Sequence, residues 1–100
     1  MKYRIEDTPK GQEIVMDGSF TFRDHDTFFE IISLIKSSKD KRLTFNLAGC
    51  DFIDSAALGM FVIASDEASV KDMTLVIKAA TGRIKDVMFA ARFDNLYTFE

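Results

Sequence analysis

At 100 residues, with 47% hydrophobic and 29% charged content, the chain has the size and composition of one folded domain, 1–100, and not of a disordered tail. Its 13 Lys and Arg against 16 Asp and Glu leave a formal charge of -3, and the basic residues are scattered, which excludes the basic stripe that nucleic-acid phosphates require. The longest apolar run, Met60 to Ala64, is too short for direct membrane insertion; Cys50 has no second cysteine for a disulfide or zinc cluster, and no cofactor motif or signal-peptide pattern is present, so a cytoplasmic protein is expected.

Tyr3, Ile5 and Asp7 alternate with Lys2, Arg4 and Glu6, and Pro9-Lys10-Gly11 breaks the chain before Glu13 to Met16, which predicts an opening β-hairpin. Phe28, Ile31, Ile32 and Ile35 are spaced as one helical face, widened by Phe29 and Leu34. Asp24 is one candidate cap for this helix and Thr27, with Glu30 as a capping box, the other. Ser37 to Lys41 is a polar connection. Leu43, Phe45 and Leu47 then alternate as a strand expected to stop at Gly49, with Cys50 to Asp54 as a short loop.

From Ser55 the run Ala56 to Ala64 is apolar and turns polar at Ser65, Asp66 and Glu67, as in a helix whose first half is largely buried. Met73 to Ala79 reads as a central strand covered on both faces. Thr81 is a candidate cap for a helix presenting Ile84, Val87, Met88 and Ala91 on one face, and Leu96 to Phe99 form a last short strand. The expected fold is α/β in the order ββαβαβαβ, a mixed sheet with an opening hairpin, its later strands parallel and joined by right-handed crossovers.

Chemistry in such a fold gathers where parallel strands end and helices begin. Ser55 falls at that point, with its hydroxyl expected at the helix N-cap beside the positive end of the dipole, where a phosphate would be favoured. Position alone describes an ordinary helix cap, because serine is common there. The surrounding Phe52-Ile53-Asp54-Ser55-Ala56-Ala57-Leu58-Gly59-Met60 adds an apolar-Asp-Ser-small-small-Leu-Gly sequence between strand and helix. This resembles the STAS domain of anti-sigma-factor antagonists.

The resemblance extends over nearly the whole chain. Asn46-Leu47 is similar to the family's strand end, Gly18 to the glycine that ends its second strand, and Ile84 to Phe93 to its penultimate helix. It implies a STAS-like mixed β-sheet with helices packed on it, a single STAS domain, and no enzymatic activity. It also implies that Ser55 is phosphorylated by an anti-sigma factor that is itself a serine kinase of the GHKL ATPase type. The phosphorylated antagonist is released, a PP2C-like phosphatase resets it, and the unmodified form captures the anti-sigma factor again. Thr21, Phe22, Asp24, Asp51, Asp54, Ala56, Ala57 and Leu58 are the partner-binding residues expected from that likeness.

Three positions depart from the family pattern. Ala56 and Ala57 stand where antagonists often have a second Ser or Thr and a Gly, Thr21 stands where many carry an Asp, and the sequence ends at Glu100, where the family usually adds a C-terminal helix, so part of the usual surface is expected to differ. A second reading is a STAS scaffold or adaptor subunit of a signalling assembly or membrane transport complex. A Ser55–His25–Asp hydrolase is disfavoured, since the Gly-x-Ser-x-Gly elbow is missing. His25 between Asp24 and Asp26 reads as a solvated helix start instead of a metal site, Asp51 and Asp54 as charge tuning or loop turns, and Cys50 as an inert, buried or half-buried thiol. Most of Phe20, Phe22, Phe28 and Phe29 are expected in the core, with Phe22 or Phe29 left for a partner surface.

Overall fold

In the computed structural model, which describes residues 1–100, the alternation at the start becomes strand β1 (Lys2–Thr8), antiparallel to β2 (Gly11–Phe20). Gly11, with φ +121°, closes the turn: a Cβ there would run into the Arg42 carbonyl, so glycine is required. Helix α1 (His25–Ser37) follows a 3-10 turn at Phe22–Asp24, then β3 (Arg42–Ile53), α2 (Ser55–Val70), β4 (Thr74–Lys78), α3 (Gly82–Ala90), a second 3-10 turn at Phe93–Asn95, and β5 (Thr98–Phe99). The sheet order is β1-β2-β3-β4-β5, parallel from β2 onward, which is the expected ββαβαβαβ arrangement.

One face of the sheet carries Ile14, Met16, Leu43, Phe45, Leu47, Leu75 and Ile77, all buried against the helices in one continuous core. The α1 stripe Phe28, Ile31, Ile32 and Ile35 covers it as its spacing predicts. Phe61 of α2 is the hub, with the rings of Phe20, Phe28 and Phe45 each 5.3 Å away in edge-on contact and Tyr97 at 5.8 Å. The Tyr97 hydroxyl donates to the Phe61 carbonyl at 2.7 Å, and burial pushes that phenol well above its ordinary pKa.

The opposite face is a polar ladder, in which Glu13 accepts from Asn46 at 2.9 Å and pairs with Lys78 at 3.4 Å, and Arg42 pairs with Glu100. Val76 of β4 is buried on that face although it lies outside the main hydrophobic cluster. The register explains how: Arg42 on β3 lies beside Thr74 and Glu100 follows Phe99, so their ion pair crosses β4 diagonally above Val76.

Several local expectations need correction. β3 does not stop at Gly49 but runs to Ile53, so Cys50 to Ile53 are strand and not loop. The cause is two irregularities: β3 gains a residue against β2 between the pairs Val15–Asn46 and Asp17–Gly49, and another between Gly18–Cys50 and Ser19–Phe52. Each bulge shifts the alternation, so Leu47 and Cys50 share burial at a spacing of three and the pattern imitates a strand end. At Gly49 a Cβ would meet the carboxylate of Asp17, an exposed side chain able to move aside, and would lie 3.4 Å from the Met16 carbonyl. Likewise β2 continues past Gly18 to Phe20.

Thr27 does not cap α1, which starts two residues earlier, and Asp24 at its N-cap makes no side-chain capping bond to it. The capping box belongs instead to the 3-10 turn, between Thr21 and Asp24. Thr81 precedes α3 without a capping hydrogen bond, and of the expected α3 face only Met88 is fully buried. Leu96 and Tyr97 precede β5, which is reduced to Thr98 and Phe99.

Candidate functional site

β2 and β3 are neighbours and parallel, so their carboxyl ends, Phe20 and Ile53, lie side by side and send the following segments over one corner of the sheet. Asp54 joins those segments. Its backbone amide donates to the Phe20 carbonyl at 3.3 Å, its Oδ1 accepts from the Ala57 amide at 2.8 Å, and its Oδ2 accepts from the Phe22 amide at 3.1 Å. The N-cap of α2 is therefore Asp54 and not Ser55. An extended Asp places its carboxylate over the amide three residues on, a reach that the first helical residue lacks.

Ser55 is thus the first residue of α2, exposed, and its hydroxyl is engaged by no hydrogen bond within the chain. Of the amides that a helix start leaves open, those of Ser55 and Ala56 remain unpaired. The Asp54 carboxylate already neutralises this end of the dipole, so a phosphate on Ser55 would meet a like charge before it met the helix. The expected place of the Ser55 hydroxyl at the N-cap is corrected by one residue, to the first position of the helix.

The second segment is built on Thr21. Its hydroxyl oxygen accepts from the Arg23 amide at 3.3 Å, while Asp24 Oδ2 accepts from the Thr21 amide at 2.9 Å and Asp24 Oδ1 pairs with the amino group of Met1 at 2.9 Å. Burial works against charge on Asp24, but the Thr21 amide and the Met1 ammonium outweigh it and hold the carboxyl below its ordinary pKa. Met1, Ser19, Arg23 and Asp54 join these residues around an open concavity of about 580 Å³.

Phe22 is 64% exposed, its ring stacked 5.1 Å from that of His25. The two ring nitrogens of His25 face the Phe22 carbonyl at 3.0 Å and Asp26 at 3.2 Å, so both are engaged elsewhere than at Ser55. Phe29 is 43% exposed, whereas Phe20 and Phe28 are in the core. On the other flank Asp51 projects from β3 and accepts from the Ser19 hydroxyl at 3.1 Å, beside an exposed Phe52. The Cys50 thiol is buried, and burial together with Asp51 pushes its pKa up.

Of the residues expected to bind a partner, Phe22 and Asp51 are exposed, and Asp54 and Ala56, the chain neighbours of the exposed Ser55, are half-buried. Ala57 is fully buried, so its side chain offers no contact surface, while Leu58 is half-buried and packs against the core. Thr21 and Asp24 shape the turn that presents Phe22. The sequence reading did not identify Gly59, Met60 and Ile63, which with Phe22, His25 and Phe29 form an apolar groove of about 370 Å³ next to Ala56. Its signal was present in the spacing of Phe22, His25 and Phe29, an aromatic row that runs from the 3-10 turn into α1 beside the buried one.

No helix is long and apolar enough to cross a membrane. Comparison with solved structures returns the same fold at low identity. An anti-sigma factor antagonist from Mycobacterium paratuberculosis matches with a TM-score of 0.85 at 12% identity, over 98% of this chain and 83% of that one. The phosphorylated form of the Bacillus cell fate determinant SpoIIAA matches at 0.76 and 14%, over 99% and 91%. A sulfate transporter family protein from Wolinella succinogenes matches at 0.74 and 13%, over 87% and 74%. No curated protein matches by sequence. The family model for the STAS domain matches residues 8–100, and the chain belongs to that family.

Proposed function

We propose that this protein is an anti-sigma-factor antagonist that binds an anti-sigma factor of the GHKL-kinase type through the surface around Ser55 and is switched off when Ser55 is phosphorylated. The observation that carries this reading is the division of labour between two adjacent residues: Asp54 does the capping, which leaves the Ser55 hydroxyl exposed and unengaged at the end of β3. The likeness of the fold to antagonists, including one in phosphorylated form, supports it.

The chemistry is phosphoryl transfer. The Ser55 oxygen attacks the γ-phosphorus of the kinase's ATP, a new O–P bond forms as the bond to the β-phosphate oxygen breaks, ADP leaves, and the hydroxyl proton passes to a base on the kinase. The product carries about -1.5 to -2 additional charge next to Asp54, the preceding residue. Burying that charge against a partner without a matched cation costs several kcal/mol, and each 1.4 kcal/mol weakens binding about tenfold. A PP2C-like phosphatase would hydrolyse the ester and restore the neutral hydroxyl.

The test is incubation with the cognate kinase and labelled ATP, followed by mapping of the modified residue. Label on Ser55 that disappears in Ser55→Ala is the expected result, and equal labelling of Ser55→Ala overturns the assignment. A second reading, a scaffold or adaptor subunit of a signalling assembly or transport complex, draws on the fold shared with the sulfate transporter family protein. It predicts a partner whose affinity ignores the state of Ser55.

A further inference from the structure

Gly59 lies in the second turn of α2, a position where glycine is a poor helix former because it loses the most backbone freedom on folding. Nothing inside the molecule requires it. Its backbone is ordinary helix, and a Cβ built there meets no atom within 4 Å. The glycine therefore leaves space on the outside of the protein, and that space is the floor of the apolar groove.

The groove has walls from two elements. Phe22 and Phe29, both substantially exposed, and the His25 ring between them form one side; Met60 and Ile63 form the other. At the far end, the Lys36–Glu67 pair at 3.8 Å links α1 to α2. Ser55, Gly59 and Ile63 follow at intervals of four, so they share one stripe of α2, and Ser55 stands roughly 6 Å along the axis from the groove floor. Asp26, 92% exposed at its side chain and 3.2 Å from the ring of His25 that lines the groove, and the exposed Asp66, three residues beyond Ile63, add negative charge beside it, in a chain whose net charge is already -3.

We infer that this groove receives a large apolar side chain carried on a basic amphipathic helix of the partner, pressed onto the bare Gly59 backbone one turn from Ser55. The bare floor calls for close approach, a trough bordered by α1 and α2 suits a helix laid along it, and the carboxylates beside it favour a basic occupant. The inference rests on the proposed function in one respect: the occupant belongs to the same partner that Ser55 controls, which is why groove and switch lie on one helical stripe.

The test uses the full chain as wild type, Gly59→Ala and Gly59→Leu. Thermal melting comes first, with both variants expected to melt no lower than wild type because the added carbons enter open space. Each protein is then titrated with a short synthetic helical peptide of leucine and lysine while methyl NMR signals are followed. Saturable shifts are expected at Met60 and Ile63 and not at the distant, exposed Val70. Affinity should fall at least about tenfold in Gly59→Leu. An alanine–lysine peptide of the same charge should leave Met60 unshifted. Equal affinity for wild type and Gly59→Leu, or equal shifts with both peptides, overturns the groove.

A kinase arm separates this result from the proposed function. If Ser55 is labelled and the kinase binds Gly59→Leu as tightly as wild type, the groove falls and the switch stands. If the peptide seats as expected but no kinase labels Ser55, the switch falls and the groove stands.

Discussion

The Asp54 carboxylate accepts the backbone amide of Phe22 at 3.1 Å across 32 residues of sequence. Its other oxygen caps α2 through Ala57 at 2.8 Å. One side chain therefore sets both the start of the Ser55 helix and the position of the exposed Phe22 ring. Asp54→Ala should cost about 1–2 kcal/mol, the usual worth of a helix cap. Asp54→Asn should recover most of that stability, because its carbonyl oxygen still accepts one amide. Urea denaturation of the three proteins checks the order, and an Asp54→Ala midpoint equal to wild type would show that the bridge contributes nothing.

Ser55 should behave in the opposite way. Because it is exposed and not the cap, Ser55→Ala should change stability by no more than about 0.5 kcal/mol. Phosphorylation and Ser55→Glu should leave cooperative unfolding intact yet weaken partner binding, glutamate by the smaller factor because it carries less charge. Calorimetric titration of the proposed anti-sigma-factor partner with all four forms provides the comparison. Equal affinity of phosphorylated and unmodified protein would contradict the switch.

Two phenylalanines separate core from surface. Phe61 is fully buried at the centre of the aromatic cluster, so Phe61→Ala should lose about 3–5 kcal/mol, a large share of a small domain's stability. Phe22→Ala removes a ring that is 64% exposed and should leave stability within about 0.5 kcal/mol while reducing partner affinity. Denaturation and binding measured on both variants test the pairing; loss of stability in Phe22→Ala comparable to Phe61→Ala would place that ring in the core.

The C-terminal end of α1 is held from another element. Lys71, just past α2, donates from Nζ to the carbonyls of Ile35 at 3.2 Å and Lys36 at 2.7 Å and to that of Ser38, so one ammonium satisfies carbonyls that the helix end leaves open. Lys71→Met keeps the stem and removes the donors, and should destabilise by about 1–2 kcal/mol. Thermal melting, with hydrogen exchange at the last turn of α1, reads both the loss and its location.

Acid should weaken the turn before α1. The Asp24 carboxyl is held below its ordinary pKa when folded, so its contribution is fully present above the unfolded value of about 4 and is lost as pH falls through the depressed one. Asp24→Asn should therefore be less stable than wild type by a constant amount near neutrality, with the gap closing only in strong acid. Denaturation midpoints across a pH series measure it, and a gap that does not depend on pH would remove the charge from the explanation.

The element order and the place of Ser55 were legible in the sequence because they depend on local patterns. The Phe28–Ile31–Ile32–Ile35 row chose the buried face of α1, and the Leu43–Phe45–Leu47 alternation chose the buried face of β3. What the sequence could not decide were features set by neighbouring segments. The two bulges that carry β3 past Gly49 depend on its register against β2, and they scramble the alternation by which a strand is recognised. The cap of α2 passes to Asp54 because its carboxylate can also reach the Phe22 amide on the other segment. The open floor at Gly59 exists only because α1 and α2 pack with Phe22 and Phe29 facing outward. Side-chain periodicity encodes which face of an element is apolar, but only the packed partners of that element determine what remains uncovered.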